Sequence, residues 1–187
     1  MTDGSAVEAG FKQAMRQLAG SVAIVATGAG EQRRGLTATA VCSLSANPAK
    51  ILVCVNRSAE AHDVIAETRR FSINILRCDQ QAVAERFAAL DGSKGAIRFA
   101  GALWGELVTG APILQSAIAA LDCELDVEVP TETHTIYVGR VVATTCDDLG
   151  IPLVYHQRQF CAPYPIELVQ AAGDTSPTQR IELRNFG

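Results

Sequence analysis

The segment from Asp122 to Val129 constrains the fold more than any other, because polar and apolar residues alternate along it without a break. Asp122, Glu124, Asp126 and Glu128 occupy one set of positions, and Cys123, Leu125, Val127 and Val129 occupy the other. A period of two is typical of a β-strand that is packed on one face and solvated on the other. We therefore predict a strand of an antiparallel sheet.

A second β-rich run, residues 134–145, follows Pro130–Thr133. The spacing predicts a hairpin in which those four residues form the loop and Val129 faces His134. In that register His134 shares the packed face. A shift of one residue would move it to the other face.

The remaining patterns predict mostly strands. A helix is expected over 7–18, strands over 21–27, 36–44, 51–56 and 71–76, and short helices over 59–67 and 80–89. The helices connect strands without regular alternation, which favours a mainly β fold, an antiparallel β-barrel with peripheral helices, over a doubly wound α/β sheet. Residues 1–169 are expected to form one domain, followed by a polar tail over 170–187.

The charge balance limits the partners. The 187 residues include 20 Asp and Glu and 16 Lys and Arg, which gives a formal charge of −4. This argues against a general nucleic-acid or membrane binder, so any anionic ligand must be held locally. No apolar run approaches the ~20 residues of a membrane helix, and the N-terminus lacks a basic start and an apolar signal core. We expect a cytoplasmic protein.

Six cysteines are present, without a C-x-x-C pair or a Cys/His cluster at zinc-ligand spacing. No metal site is therefore expected. Cys42, Cys54 and Cys123 lie in apolar runs, where a free thiol behaves as a small hydrophobic group. We expect all three to be buried and unreactive.

The glycine-rich segment 28–33 begins like a dinucleotide-binding fingerprint, but its third glycine is missing and a strand follows in place of a helix. The fingerprint works by presenting a helix N-terminus to the pyrophosphate, so this segment is interpreted as a turn. Neither H-E-x-x-H nor G-x-S-x-G occurs, which excludes the metalloprotease and lipase signatures.

Three polar segments are candidates for ligand binding. Thr37, Thr39, Ser43 and Ser45 would share one face while the chain stays extended, either as ligand donors or as a solvated edge strand. The triplet 56–58 (Asn-Arg-Ser) before a helix is either a phosphate clamp or an ordinary helix cap. His134 is either a hydrogen-bonded structural residue or part of a site.

Several longer segments occur in a fixed order between residues 11 and 164: GLTATAVCSLSANPAKILVCVNRS, RRFSINIL, AERFAAL, APILQSAIAALDCEL, HTIYVGRV and PLVYHQRQF. Together they resemble the short-chain flavin reductase family, the FMN-binding split-barrel reductases that serve two-component monooxygenases. The resemblance implies a homodimeric split barrel that binds FMN or FAD and oxidises NADH or NADPH. It also implies that reduced flavin diffuses to a flavin-dependent monooxygenase partner.

The resemblance further implies a set of site residues. Along the flavin ring it places Thr37, Ala38, Thr39, Ser43, Leu44 and Ser45, and along the ribityl chain and phosphate Cys54, Val55, Asn56, Arg57 and Ser58. It places Arg86 and Phe87 on the far side of the flavin, and Tyr155, His156 and Arg158 at the pyridine nucleotide. His134 is the candidate catalytic residue, beside the nicotinamide.

Two other functions stay open for such a barrel. One is non-catalytic flavin binding, and the other is reduction of a cobalt corrinoid by the bound flavin. A thiol-redox protein is disfavoured, because the cysteines lack any pairing motif.

Overall fold

The computed structural model describes residues 4–164. Its helices are α1 (Gly4–Met15), α2 (Glu60–Thr68) and α3 (Gln81–Phe87), with 3-10 turns at Gly30–Gln32 and Gly95–Phe99. The strands are β1 (Gly20–Ser21), β2 (Ala23–Thr27), β3 (Arg34–Ala38), β4 (Val41–Ala46), β5 (Ala49–Asn56), β6 (Arg70–Ile75), β7 (Trp104–Gly105), β8 (Ile113–Leu114), β9 (Ala119–Pro130), β10 (His134–Cys146), β11 (Val154–His156) and β12 (Gln159–Cys161).

Seven strands form the main sheet in the order β3–β2–β6–β9–β10–β5–β4, and every neighbouring pair is antiparallel. The two edge strands, β3 and β4, are consecutive in the chain and are separated only by Thr39 and Ala40. The sheet therefore curls until its edges approach without pairing, which is a split barrel. The predicted mainly β, antiparallel split-barrel fold is confirmed.

Two hydrophobic cores hold the barrel together. The inner core packs Val25, Val53, Phe71 and Tyr137 inside the barrel, where Ile65 of α2 fills the interior. The outer core lies on the other side of β2 and β6, beneath α3, the 95–99 turn and β8. Every residue of β2 is buried, as expected for a strand covered on both faces.

The predicted strand over 36–44 is wrong, because the chain turns at Thr39 and Ala40 and continues as a second strand. Threonine and serine fit an extended chain on either side of this turn, so their pattern gives no sign of it. Helix α1 begins and ends three residues earlier than predicted. The predicted tail lies outside the described residues.

The β9–β10 hairpin differs in register from the prediction. Its loop is Glu132–Thr133, closed by the Thr131 N–H, which donates to the His134 carbonyl at 2.7 Å. Val129 consequently faces Ile136, two positions beyond the expected partner. A shift of two keeps the same side chains on the same face, so His134 does share a face with Val129. Among residues 4–164 nothing covers this end of that face, and His134 is exposed, so its predicted packed environment is wrong.

A bulge at Asp126 also breaks the alternation that predicted β9. The register changes between Val138 and Gly139, which brings Leu125 inside the barrel and turns Val127 and Val129 outward, 45% and 46% exposed. At the other end of the strand Asp122 is buried, because the segment 109–114 covers it and Thr109 donates its N–H at 2.7 Å. The predicted strand is present, but its buried and exposed residues do not follow the predicted alternation.

The expected burial of three thiols holds only for Cys123, whose pKa is raised to about 12 by burial. Cys54 is half-buried, and Cys42 is exposed because it lies on an edge strand. Among residues 4–164 no helix is long and apolar enough to cross a membrane.

Candidate functional site

The end of β5 and the start of β10 bring together two segments that are far apart in sequence. In the antiparallel pairing of these strands, His134 lies directly opposite Asn56. The Asn56 side-chain oxygen accepts hydrogen bonds from the Ser58 N–H at 2.9 Å and from the Ser58 hydroxyl at 2.8 Å. The residue that caps α2 is Ala59, and it makes no side-chain cap bond. Ser58 therefore belongs to a tight polar turn, the Arg57 turn (Asn56–Ser58), rather than to an ordinary helix cap.

Arg57 occupies the tip of this turn and is exposed. Its backbone N–H donates to the Thr133 carbonyl at 3.0 Å, and its guanidinium reaches the Thr131 carbonyl at 3.4 Å. Within the described part of the chain this guanidinium has no ion-pair partner. A positive side chain that is held at its base and is free of carboxylates is suited to bind an anion.

His134 is oriented by a single neighbour. One ring nitrogen, Nδ1, lies 2.8 Å from the Thr133 hydroxyl, and over residues 4–164 the other ring nitrogen makes no hydrogen bond. The ring is exposed beside Asn56. The structure thus places a fixed imidazole, with one nitrogen available to a ligand, next to the Arg57 turn.

The hydroxyl row predicted from 37 to 45 is divided between the two edges of the barrel, so the expectation of one shared face is wrong. Thr37 donates its hydroxyl to the Ala84 carbonyl of α3 at 2.6 Å, and Ser45 donates to the Pro48 carbonyl at 2.5 Å. Ser43 and Leu44 are exposed on β4. The physical reason is the turn at Thr39 and Ala40, which sends the chain from one edge to the other.

The β3–β4 turn nevertheless lies close to the Arg57 turn. The Cys54 N–H donates to the Ala40 carbonyl at 3.1 Å. The β3–β4 turn therefore lies beside the end of β5, at a residue only two positions before Asn56. Ala38 and Val55 point into the inner core, which leaves their backbone as the part that a ligand could reach.

A groove of about 700 Å³ lies between β3, α3 and the β11–β12 hairpin. Four of the predicted residues line it: Thr37, Thr39, Tyr155 and Arg158. Sequence reasoning missed the others, which include Gln81, Glu85, Gln159 and Phe160. The spacing of Gln81 and Glu85 marks one exposed helix face, but no local signal shows that the hairpin lies opposite.

Arg158 is presented to the groove by an uncommon turn. Gln157 and Arg158 connect β11 to β12 with φ values of 49° and 67°, the left-handed region that two-residue hairpins require. The Gln157 N–H donates to the Arg16 carbonyl at 3.0 Å, and the Gln157 side chain donates to Gln17 at 3.1 Å. The segment after α1 therefore anchors the tip of this hairpin.

The remaining predicted residues lie apart from the groove. Phe87 is 2% exposed and packs edge-on against Phe99, with ring centroids 4.9 Å apart. It also lies so close to Gly35 that a Cβ there would be 2.6 Å from its ring. Arg86 donates to the Ala100 carbonyl, and His156 pairs with Gln159 across the hairpin. Direct ligand contact by Arg86, Phe87 or His156 stays a prediction.

The chain is similar to known proteins over most of its length. Residues 15–163 match the model of the flavin reductase like domain. The FMN reductase (NADH) RutF of Pseudomonas syringae pv. syringae (strain B728a) is 39% identical over 150 residues, which cover 80% of this chain and 83% of the relative. The 4-hydroxyphenylacetate 3-monooxygenase reductase component of Salmonella typhimurium is 33% identical over 162 residues, covering 87% and 94%.

A solved structure of a flavin reductase domain protein from Arthrobacter sp. FB24 superimposes with a TM-score of 0.76 at 31% identity, covering 84% of this chain and 96% of that one. The fold and the matched residues together define the class. The chain belongs to the flavin reductase like domain family.

Proposed function

We propose that this protein is an NAD(P)H-dependent flavin reductase that reduces FMN or FAD and releases the product to a partner. The observation that carries the proposal is the meeting of the Asn56–Ser58 turn and His134 at the split of the barrel. In a chain of the flavin reductase family, an oriented imidazole lies beside a guanidinium that has no ion-pair partner among residues 4–164.

The residues present fit a phosphate-bearing flavin. Arg57 supplies donors for a phosphate, the Ser58 hydroxyl can donate to it in place of Asn56, and exposed β4 residues flank the split where a flat ring can lie. The neighbouring groove of about 700 Å³ falls within the common size of small-molecule sites. Hydride transfer from a reduced nicotinamide to a flavin ring is chemistry that the two bound molecules supply.

The protein's part is to bind and align. Arg57 and Ser58 hold the flavin phosphate, while Tyr155 and Arg158 hold the pyridine nucleotide from the hairpin. His134 contacts the nicotinamide through its available ring nitrogen, and we assign it no proton transfer. Fixing two ring systems in reactive contact supplies roughly 7 to 11 kcal/mol toward the barrier.

NADH and FMN are the proposed donor and acceptor, since the relatives named FMN reductase (NADH) support this pair. A flavin-dependent monooxygenase is the proposed consumer of reduced flavin, since another relative is the reductase component of a monooxygenase. The formal charge of −4 disfavours tight retention of an anionic flavin. Six free cysteines support a cytoplasmic location.

A homodimer is also part of the proposal. An outer apolar face, formed by Leu52, Cys54, Val127, Val129 and Ile136, is at least partly exposed among the described residues and adjoins His134 and Asn56. Charges at its margin are already neutralised by the Lys50–Asp126 and Arg140–Glu124 ion pairs. A second copy can therefore meet this face across a twofold axis without like-charge repulsion. Helix α1, which buries no residue, offers further apolar surface.

The test is an assay of NADH and NADPH oxidation by purified protein with FMN, FAD or riboflavin. We expect oxidation only when a flavin is present, with a lower KM for FMN than for riboflavin because riboflavin lacks the phosphate. Flavin binding without nicotinamide oxidation would instead identify a non-catalytic flavin protein.

A further inference from the structure

We infer that His62, a residue of α2 outside the site described above, is a positioning residue that fixes the Arg57 turn relative to His134. This inference rests on the proposed function and deepens it, because it adds a tether through α2 to the direct contact between the Arg57 N–H and the Thr133 carbonyl. The tether is the hydrogen bond between the His62 ring and the Thr135 hydroxyl, whose atoms are 2.8 Å apart.

The His62 ring is held at both nitrogens. Nδ1 lies 2.6 Å from an Asp63 carboxylate oxygen, which can only accept, so Nδ1 carries the proton and donates it. In the neutral ring Nε2 then accepts from the Thr135 hydroxyl. The side chain is 14% exposed and Thr135 is buried, so the bond is shielded from water. A shielded hydrogen bond fixes its partners more firmly than an exposed one.

Strand β10 makes two hydrogen bonds to His62. Thr135 binds the ring, and the Tyr137 hydroxyl donates to the His62 carbonyl at 3.0 Å. Thr135 and Tyr137 are alternate residues of one strand and face the barrel interior together. The first turn of α2 is thereby fixed to the strand that begins with His134, the residue next to Thr135.

The same turn of α2 is also held from the other side. The Glu60 carboxylate accepts the Gly95 N–H at 3.0 Å and pairs with Arg98 at 3.5 Å. Arg98 in turn donates to the Gly35 carbonyl of β3 at 3.1 Å. The Glu60 contacts set the helix against β3, whereas the His62 contacts set it against β10.

The Arg57 turn is continuous with this helix. The Ala59 N–H donates to the Asn56 carbonyl at 3.0 Å, and the His62 N–H donates to the Ala59 carbonyl at 2.9 Å. A movement of α2 relative to β10 is therefore transmitted to Arg57 and Ser58. Loss of the tether should displace the phosphate donors and leave the surface that meets the flavin ring in place.

The experiment compares KM for FMN with KM for riboflavin in Thr135→Val and His62→Leu. Both changes remove the tether, and Thr135→Val preserves the shape of the side chain and the strand preference. Loss of one hydrogen bond's typical contribution predicts a rise of roughly fivefold in KM for FMN. We expect KM for riboflavin to stay at the wild-type value.

Three further variants separate positioning from general loosening. Thr135→Ser and His62→Gln retain groups that can bond across the gap, and we expect them to keep KM for FMN close to wild type. Thr68→Val is the matched control, because the Thr68 hydroxyl is also bonded, at 3.0 Å to Thr27, but at the opposite end of α2. It should lower the melting temperature and leave both KM values unchanged.

The outcomes distinguish this inference from the proposed function. Wild-type protein that does not oxidise NADH with FMN, or has equal KM for FMN and riboflavin, would overturn the phosphate site and the role of His62 together. A wild-type preference for FMN that persists unchanged in folded Thr135→Val and His62→Leu would overturn the role of His62 alone. Equal rises in both KM values, or the same rise in Thr68→Val, would show general loosening and would also overturn it.

Discussion

Within the part of the chain that the structure describes, one hydrogen bond orients the exposed ring of His134, between Nδ1 and the Thr133 hydroxyl. If the free ring nitrogen contacts the nicotinamide, His134→Ala should raise KM for NADH by roughly tenfold, the scale of a lost hydrogen bond and some packing. KM for FMN should not change, since Arg57 and Ser58 carry the phosphate. Steady-state kinetics with each substrate varied in turn give both values. Unchanged KM and kcat for NADH would remove His134 from the nucleotide site.

At this scale the sequence identifies residue types better than their surroundings. Asn56, Arg57 and Ser58 can be recognised as a polar triplet before a helix, and the structure shows that they form a turn in which Ser58 does not cap the helix. The role of His62 cannot be recognised, because its partner Thr135 is 73 positions away and no local pattern links the two. Contacts between distant segments depend on strand register, which side-chain patterns alone do not determine.

Among the elements, β9 and β10 show how much of a strand's structure the periodicity of its residues predicts. The alternation from Asp122 to Val129 predicts the strand, and residues 134–145 predict its partner. The bulge at Asp126 reverses the faces of Val127 and Val129, and a single inserted residue leaves no mark in the residue pattern. The split between β3 and β4 is missed for a similar reason, because Thr39 and Ala40 suit a strand as well as a turn.

The β11–β12 hairpin supports a prediction about a trade between stability and binding. Arg158 has a left-handed backbone, which costs a non-glycine residue on the order of 1 kcal/mol. Arg158→Gly should therefore raise the melting temperature while raising KM for NADH, because the groove loses its cation. Thermal unfolding and steady-state kinetics on the same preparation measure the two effects.

Gln157→Gly is the matched control in the same turn. It relieves a left-handed residue in the same way, but Gln157 is directed toward the segment after α1. We expect KM for NADH to stay near wild type. Equal KM changes in both variants would mean that the shape of the turn, rather than the Arg158 guanidinium, binds the nucleotide.

For the whole molecule, the outer apolar face predicts the oligomeric state. Light scattering after size exclusion should give about twice the chain mass of 19.8 kDa. Val127→Asp places a carboxylate in the middle of that face and should shift the protein to a monomer. Leu149→Asp is the control, since Leu149 is 93% exposed in a loop away from the face and should leave the dimer intact. A wild-type monomer would contradict the homodimer.

In the proposed function, this fold binds a nicotinamide and a flavin so that hydride passes between them. The most direct measurement is anaerobic mixing of purified protein with NADH and FMN, followed by absorbance of both. We predict that FMN is reduced in equal molar amount to the NADH consumed, and that no NADH is consumed when FMN is omitted. NADH consumption without FMN, or mixing that leaves FMN oxidised, would contradict it.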